Sequence, residues 1–341
     1  MTWIQNCLQA AQERKAQEVL IQSQRPIQLR VGKELVPMNI VPTTGHDTRQ
    51  MLSQILSDDE KRALYENLKI QGVKTIGDLS FKFDFQIDFE GINGSLILQN
   101  ESGSLWSFPP IAVEAICRSQ GLNLIVGPRR SGKTAALANL LQAAQNRQKV
   151  MAIYTDDESQ SWISPQNILR SFPIEQLRQN GVMKSADLVV IDAQGAAHCE
   201  AALRLAEEGR SVVMTLPLWN LEMGLHRFLD LCEGDQVSRA RRLASTLQMV
   251  LGLRLLPGIE TALQGAFEVL FVDAEIQTAL RETRLSEISD LMKEHAEKTG
   301  MRSLNHSLFQ LLMKRKIEMK SAFEASYEPE ELDALLKKVG I

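Results

Sequence analysis

The spacing of apolar positions divides the chain into two stretches with different grammar. Residues 1–24 mix Gln, Ala and Glu with apolar residues at helical intervals and predict an N-terminal helix. Between 27 and 41 polar and apolar residues alternate through Ile27, Leu29 and Val31, and Gly32 and Pro37 interrupt them, which predicts a strand or hairpin. Residues 47–71 return to helical spacing through Met51, Leu52, Ile55 and Leu56. Ser57 and Glu60 there form a capping box, so a second helix starts before Leu64 and Leu68. Phe81, Phe83, Phe85, Ile87 and Phe89 then alternate strictly, Leu96 and Leu98 follow, and Gly91 and Gly94 lie between the runs. That pattern predicts a β-hairpin over 79–98.

Ser107-Phe-Pro-Pro110 breaks regular structure and reads as a linker. Beyond it, short apolar runs alternate with helical stretches: Leu122–Val126, Val150–Tyr154, Leu188–Ile191, Val212–Leu216 and Val269–Val272. Strands apolar on both faces and separated by helices predict a parallel or mixed sheet covered on two sides. From residue 277 onward the pattern is mostly helical.

Composition narrows the function classes. The 341 residues carry a net charge of −4 with no basic arm, which counts against nucleic acid as a partner. The start lacks a basic and apolar leader, and no apolar run reaches the ~20 residues that span a bilayer. The reading is therefore a protein without direct membrane insertion. Cys7, Cys117, Cys199 and Cys232 are too scattered for a zinc site or a disulfide framework. Reduced, mostly buried thiols in a cytoplasmic chain fit that spacing.

The strongest chemical signal is Gly127-Pro128-Arg129-Arg130-Ser131-Gly132-Lys133-Thr134, which fits G-x-x-x-x-G-K-[ST]. The glycines let successive amides curl round an anion, and the following helix adds its positive end. Lys133 is placed to bridge the β- and γ-phosphates of ATP, and the Thr134 hydroxyl to ligate Mg²⁺. An apolar strand, Leu122–Val126, leads in, and Ala135–Leu141 leads out as a helix. Arg129 and Arg130 at the loop tip have three readings: phosphate contact, contact with a neighbouring subunit, or solvation.

Around this loop the chain resembles the type IV pilus retraction ATPases, the PilT branch of the secretion and pilus motor ATPases. Arg25-Pro-Ile-Gln-Leu-Arg-Val-Gly-Lys-Glu-Leu35 is similar to that family's early strand, and Asp78-Leu-Ser-Phe81 to its "DfSf" strand. Arg242-Leu-Ala-Ser-Thr-Leu-Gln-Met-Val-Leu-Gly-Leu-Arg-Leu-Leu-Pro257 resembles "LaxsLrgVxxQrLlp". Ala266-Phe-Glu-Val-Leu-Phe271 follows as it does there, and Gly300-Met-Arg-Ser-Leu304 resembles "GMqtL".

The resemblance implies an α/β chain with an N-terminal α+β (PAS-like) domain over 1–106 and a linker over 107–118. A RecA-like P-loop ATPase domain with a helical C-terminal part then covers 119–341. It assigns Asp156, within Thr155-Asp156-Asp157-Glu158, to the family's catalytic Glu in the Asp box. It assigns Asp192, after Ala186-Asp-Leu-Val-Val-Ile191, to the Walker B carboxylate, with catalytic and Mg²⁺-shell roles. Each box departs from pattern. Asp156 is a methylene shorter than Glu, and a displacement of about 1 Å costs about 100-fold in rate. Gln194 and Gly195 replace an Arg-Asp pair. The His box, GTLHT in the family, reads Met214-Thr-Leu-Pro217-Leu here, and proline has no donor. His226 lies out of register. No Lys or Arg occurs from Phe83 to Cys117, where the family places arginine fingers.

The implied function is a motor-type ATPase of type IV pilus or related secretion machinery, binding ATP with Mg²⁺. The implied setting is a homo-hexameric ring in the cytoplasm, held at the inner-membrane platform of a pilus or secretion system through partners. The alternative is a catalytically weak paralogue that binds nucleotide and regulates or scaffolds an active motor ATPase.

Overall fold

The computed structural model describes residues 3–31, 34–39, 41–77, 79–99, 106, 108–118, 120–145, 151–155, 168–169, 186–192, 195–259 and 263–340. The chain divides into two compact units, one built on Met1–Gly103, the other on Ser104–Asp156, Trp162–Ile259 and Gln264–Ile341.

The first unit runs α1 (Trp3–Glu13), β1 (Glu18–Ile21), β2 (Gln28–Val31), β3 (Glu34–Pro37), α2 (Gly45–Ile55), α3 (Asp58–Asn67), β4 (Lys69–Ile76), β5 (Leu79–Asp88) and β6 (Gly91–Gln99). Its six strands form one sheet in the order β3-β2-β1-β6-β5-β4, every neighbour antiparallel. The alternation along β5 sends Phe81, Phe83 and Phe85 into a core that they share with Ile4 and Leu8 of α1 and Met51 and Leu52 of α2. Phe83 and Phe85 stack at 5.7 Å. The expected capping box is present, Ser57 receiving the Glu60 amide and Glu60 the Ser57 amide. Thr44 and Asp47 make another at the start of α2.

The expected helix over 1–24 is corrected: only its first half is helical. The Lys15 amide bonds to the Gln12 carbonyl and the Ala16 amide to the Ala11 carbonyl. These are the bonds of a Schellman stop, with Lys15 at φ 53° where glycine is usual. Glu18–Ile21 then pairs with β2 and β6 and buries Val19 and Ile21.

The second unit opens with α4 (Pro110–Cys117), β7 (Gly121–Val126), α5 (Lys133–Gln145), β8 (Met151–Thr155), β9 (Ile168–Leu169) and β10 (Leu188–Asp192). It continues with α6 (Ala196–Glu207), β11 (Ser211–Leu216), α7 (Leu221–Leu231), α8 (Gln236–Thr246), β12 (Leu247–Pro257) and β13 (Leu263–Phe271). Six helices close it: α9 (Ala274–Arg281), α10 (Ile288–Glu294), α11 (Ala296–Thr299), α12 (Leu304–Met313), α13 (Met319–Ala325) and α14 (Pro329–Lys337). The segment expected as a linker, 107–118, carries α4, and Ala112, Ala115 and Ile116 of that helix are buried in this unit's core.

The seven-stranded sheet has the order β13-β12-β7-β11-β10-β8-β9. β12, β7, β11, β10, β8 and β9 are parallel where they pair, and β7, β10 and β11 are apolar on both faces. After β7 the chain crosses to β8 on one side, fills β10 and β11 inward, and only then reaches β12 on the other side of β7. Strand order therefore reverses at β7, and ligands of such sheets bind outside the carboxyl ends at that point.

Helices α6 and α8 are tied by a buried carboxylate. Glu200 accepts from Arg204 Nε at 2.7 Å, Arg242 Nη2 at 3.0 Å and the Glu233 amide at 2.9 Å. Burial alone raises its pKa, but bonds from Arg242, Glu233 and Arg204 outweigh that and hold it at about 2, against 4.5 unperturbed. A depressed carboxylate stabilises the fold above its unfolded pKa and loses that contribution as pH falls through its folded one. Glu200→Gln is therefore expected to lower stability at pH 7 by about 2 kcal/mol, less than a fully buried pair because both arginines reach water. In urea titrations the difference from wild type narrows between pH 4.5 and 2.

All four cysteines are free thiols, with Cys7, Cys199 and Cys232 buried. Among the described residues no helix is long and apolar enough to cross a membrane.

Candidate functional site

Gly127–Thr134 joins β7 to α5 at the carboxyl edge of the sheet. The Gly127 amide donates to the Leu216 carbonyl at 3.1 Å, which extends the β7–β11 ladder into the loop. Gly132 has φ +83°, and a Cβ there would lie 2.8 Å from Trp106 Cζ2, so both conformation and space demand glycine. The turn folds the Ser131 side chain back over Gly127, where a Cβ would lie 2.2 Å from its Oγ. That Oγ is buried and has no hydrogen-bond partner among the described residues.

Lys133, the first residue of α5, curls over the loop and donates from Nζ to the Gly127 carbonyl at 2.7 Å and the Pro128 carbonyl at 2.9 Å. Burial lowers its pKa to about 8; the nearby Asp192 charge opposes this, while Arg129 and Arg254 add to it. Thr134 follows on an exposed position of the first turn, and Arg129 and Arg130 are also exposed, Arg130 at φ 64°.

Asp192 ends β10, one strand removed from β7 across β11. Register places Ile191 opposite Met214, so Asp192 is level with Thr215, whose Oγ1 donates to Asp192 Oδ1. Asp192 also lies opposite Thr155 at the end of β8. The fold thus brings Lys133 and Asp192 to one edge. Asp156 lies outside the described residues, as does Gln194. Pro217 follows β11 directly, and His226 is exposed on α7, 3.9 Å from Glu222.

Sequence reasoning missed a buried polar cluster beside the loop. Arg254 of β12 is only 6% exposed. Its Nη1 donates to the Leu253 carbonyl at 3.0 Å and its Nη2 to the Trp219 carbonyl. Its guanidinium lies 4.4 Å from the Trp219 ring centre and 5.1 Å from that of Tyr327. Tyr327 Oη donates to the same Trp219 carbonyl at 2.9 Å. Glu268 of β13 accepts from the Leu221 amide at 3.1 Å. Burial pushes Glu268 up to about 7, while the Leu221 bond and Arg254 pull it down. The visible signal was a single charge inside each of two apolar strands, Leu247–Pro257 and Leu263–Phe271.

No family model matches the chain. It is 20% identical over 340 residues to the type IV pilus ATPase PilU of Pseudomonas aeruginosa, covering 95% of this chain and 89% of that protein. Its fold matches the crystal structure of the pilus retraction motor PilT with bound ADP, with a TM-score of 0.72 and 20% identity over 98% of this chain and 100% of that one. In sequence and fold the chain is similar to the PilT-like pilus and secretion motor ATPases. The ATPase DotB of Legionella pneumophila shares the fold, with a TM-score of 0.74 and 16% identity over 94% of both chains. Against the PilT-like pattern, the phosphate loop is intact. Pro217 follows β11, and Arg254 reaches the Trp219 carbonyl two residues further on.

Proposed function

We propose that this chain is a nucleotide-binding motor-type ATPase of type IV pilus or related secretion machinery. The observation that carries this reading is the built phosphate loop. Gly132 is left-handed, Lys133 Nζ lies over the loop carbonyls, and Ser131 Oγ is buried without a partner among the described residues, at the head of a 13-residue helix. These features fit Mg-ATP. The amides of Gly127–Thr134 and the Lys133 ammonium would hold the phosphates, and Thr134 and Asp192 the Mg²⁺ shell. The ion supplies charge neutralisation on the phosphates when bound. Asp156 is the proposed partner for the attacking water. Six copies in a cytoplasmic ring at an inner-membrane platform, with no nucleic acid involved, complete the reading.

A second reading, a catalytically weak paralogue that regulates an active motor, is favoured by Pro217 and by the absence of Lys and Arg from Phe83 to Cys117. Calorimetry with Mg-ATP and steady-state phosphate release separate the two. Binding with turnover supports the motor, and binding without turnover supports the regulator. Wild-type protein that binds no Mg-ATP at millimolar concentration sinks both. Asp192→Asn is expected to weaken Mg²⁺-dependent ATP binding about tenfold while sparing Mg²⁺-free binding. Equal losses with and without Mg²⁺ remove Asp192 from the metal shell.

A further inference from the structure

Two loops meet at the carboxyl edge of this sheet. One is Gly127–Thr134. The other runs from Leu216 to Asn220, between β11 and α7. Its first residue accepts the Gly127 amide, and its last caps α7, the Asn220 side chain receiving the Met223 amide at 2.8 Å. Between those anchors sits Pro217, which donates nothing. Some other group must set the path of this loop.

Arg254 bonds the second loop and lies on the strand that flanks the first. Register pairs Gly252 with Val126, so Leu253 and Arg254 run alongside the start of the phosphate loop. The Leu253 carbonyl that Arg254 Nη1 bonds lies 3.0 Å from where a Cβ on Gly127 would be. The other arm, Nη2, bonds the Trp219 carbonyl in the second loop. Tyr327 Oη gives that carbonyl its second donor, and the Trp219 and Tyr327 rings lie against the cation.

A purely structural buried arginine is normally neutralised by a carboxylate. Glu268 is at hand, yet among the described residues it bonds the Leu221 amide and makes no ion pair with Arg254. Arg254 Nε has no partner there either. The charge is thus held beside the phosphate loop with no carboxylate bonded to it among the described residues, Glu268 acting on it only through space, and within electrostatic reach of Lys133. Such an arrangement is costly for the empty fold and favourable beside an anion.

We propose that Arg254 is a positioning residue of the phosphate site: its guanidinium bridges the Leu253 carbonyl against Gly127 to the Trp219 carbonyl after β11, and so holds the two loops in register for a nucleoside triphosphate. This rests on the reading that Gly127–Thr134 binds ATP. The planar fork matters as well as the charge, because the two carbonyls belong to different segments and a lysine ammonium is a single point.

The test is Arg254→Lys in the full-length chain, with Mg-ATP affinity measured by calorimetry and amide exchange followed over residues 216–223. In wild type, Mg-ATP is expected to slow exchange in that segment. Arg254→Lys is expected to raise the Kd about tenfold and to abolish the added protection. A merely structural arginine would shift the melting temperature and leave both readouts as in wild type, which overturns the proposal. Should Arg254→Lys not fold, Tyr327→Phe removes only the second donor to the Trp219 carbonyl. It is expected to raise the Kd about threefold and to halve the protection, since one of two bonds at that carbonyl is lost. Wild-type affinity and protection in Tyr327→Phe overturn the proposal equally. Wild-type protein that binds no Mg-ATP defeats the nucleotide reading, and this inference with it; wild-type binding with an unaffected Arg254→Lys defeats this inference alone.

Discussion

Lys133→Met is expected to weaken Mg-ATP binding at least about a hundredfold and at the same time to raise the melting temperature of the ligand-free protein by about 3 °C. Both effects have one cause. The ammonium is carried on the first residue of α5, over the loop Gly127–Thr134. Without ligand its partners among the described residues are the Gly127 and Pro128 carbonyls. Two neutral acceptors do not replace the hydration it has lost, which is why burial leads the causes that bring its pKa to about 8. A methionine keeps the apolar stem and removes the misplaced charge, so the empty fold gains. With a triphosphate present the sign reverses. Charge-assisted bonds to phosphate are among the stronger ones available, and methionine makes none. Calorimetry and a thermal melt on the same preparation check the pair of outcomes. Wild-type affinity in Lys133→Met would remove Gly127–Thr134 as the phosphate site. A lower melting temperature would mean that the two carbonyl bonds outweigh the desolvation of the ammonium.

The elements legible in the sequence are those fixed by neighbours along the chain. The phosphate loop is one, because glycine positions, lysine and helix start all fall within eight residues. The β5–β6 hairpin is another, because Phe81, Phe83 and Phe85 alternate without interruption. The start of α3 is a third, because Ser57 and Glu60 answer each other across one turn. Where the reading went astray, the signal was absent or non-local. Helix α1 stops at Lys15 in a left-handed conformation that glycine would have announced, so β1 was absorbed into the helix. Strand β4 follows α3 directly, with only Leu68 between, and most of its residues are half-buried, so its period is blurred.

The site divides in the same way. Lys133 and Thr134 could be named from the motif alone. Asp192 could be named only as the end of an apolar strand; that it reaches the same edge depends on β11 lying between β10 and β7, which no local pattern encodes. Arg254 and Glu268 were invisible as a pair because their meeting depends on β12 lying beside β13 and on α7 starting just after Trp219. A lone charge in an apolar strand is a signal of burial, but it does not name its partner.

Glu268 gives the second large effect, and it is one of pH. The carboxyl is fully enclosed on β13, crossing over Gly252 so closely that a Cβ there would lie 2.4 Å from Oε1. Its one hydrogen bond among the described residues comes from the Leu221 amide at the head of α7. Burial raises its pKa from 4.5 to about 7, with the amide and Arg254 only partly offsetting this. A folded pKa above the unfolded one means the native state holds the proton more tightly. The contribution is therefore fully present below pH 4.5 and is lost as pH rises through about 7. Glutamine keeps the shape and the acceptor and cannot ionise. Glu268→Gln is thus expected to match wild type near pH 4.5 and to exceed it by ~3 kcal/mol at pH 8, the free energy of a shift of this size. Urea titrations of both proteins at the two pH values measure the gap directly. A gap that is the same at both would show that Glu268 is ionised throughout, with Arg254 and the α7 N-terminus together outweighing its burial. A gap that opens between about pH 4.5 and 7 and stays level above that shows that the folded protein keeps this carboxyl protonated up to near neutrality.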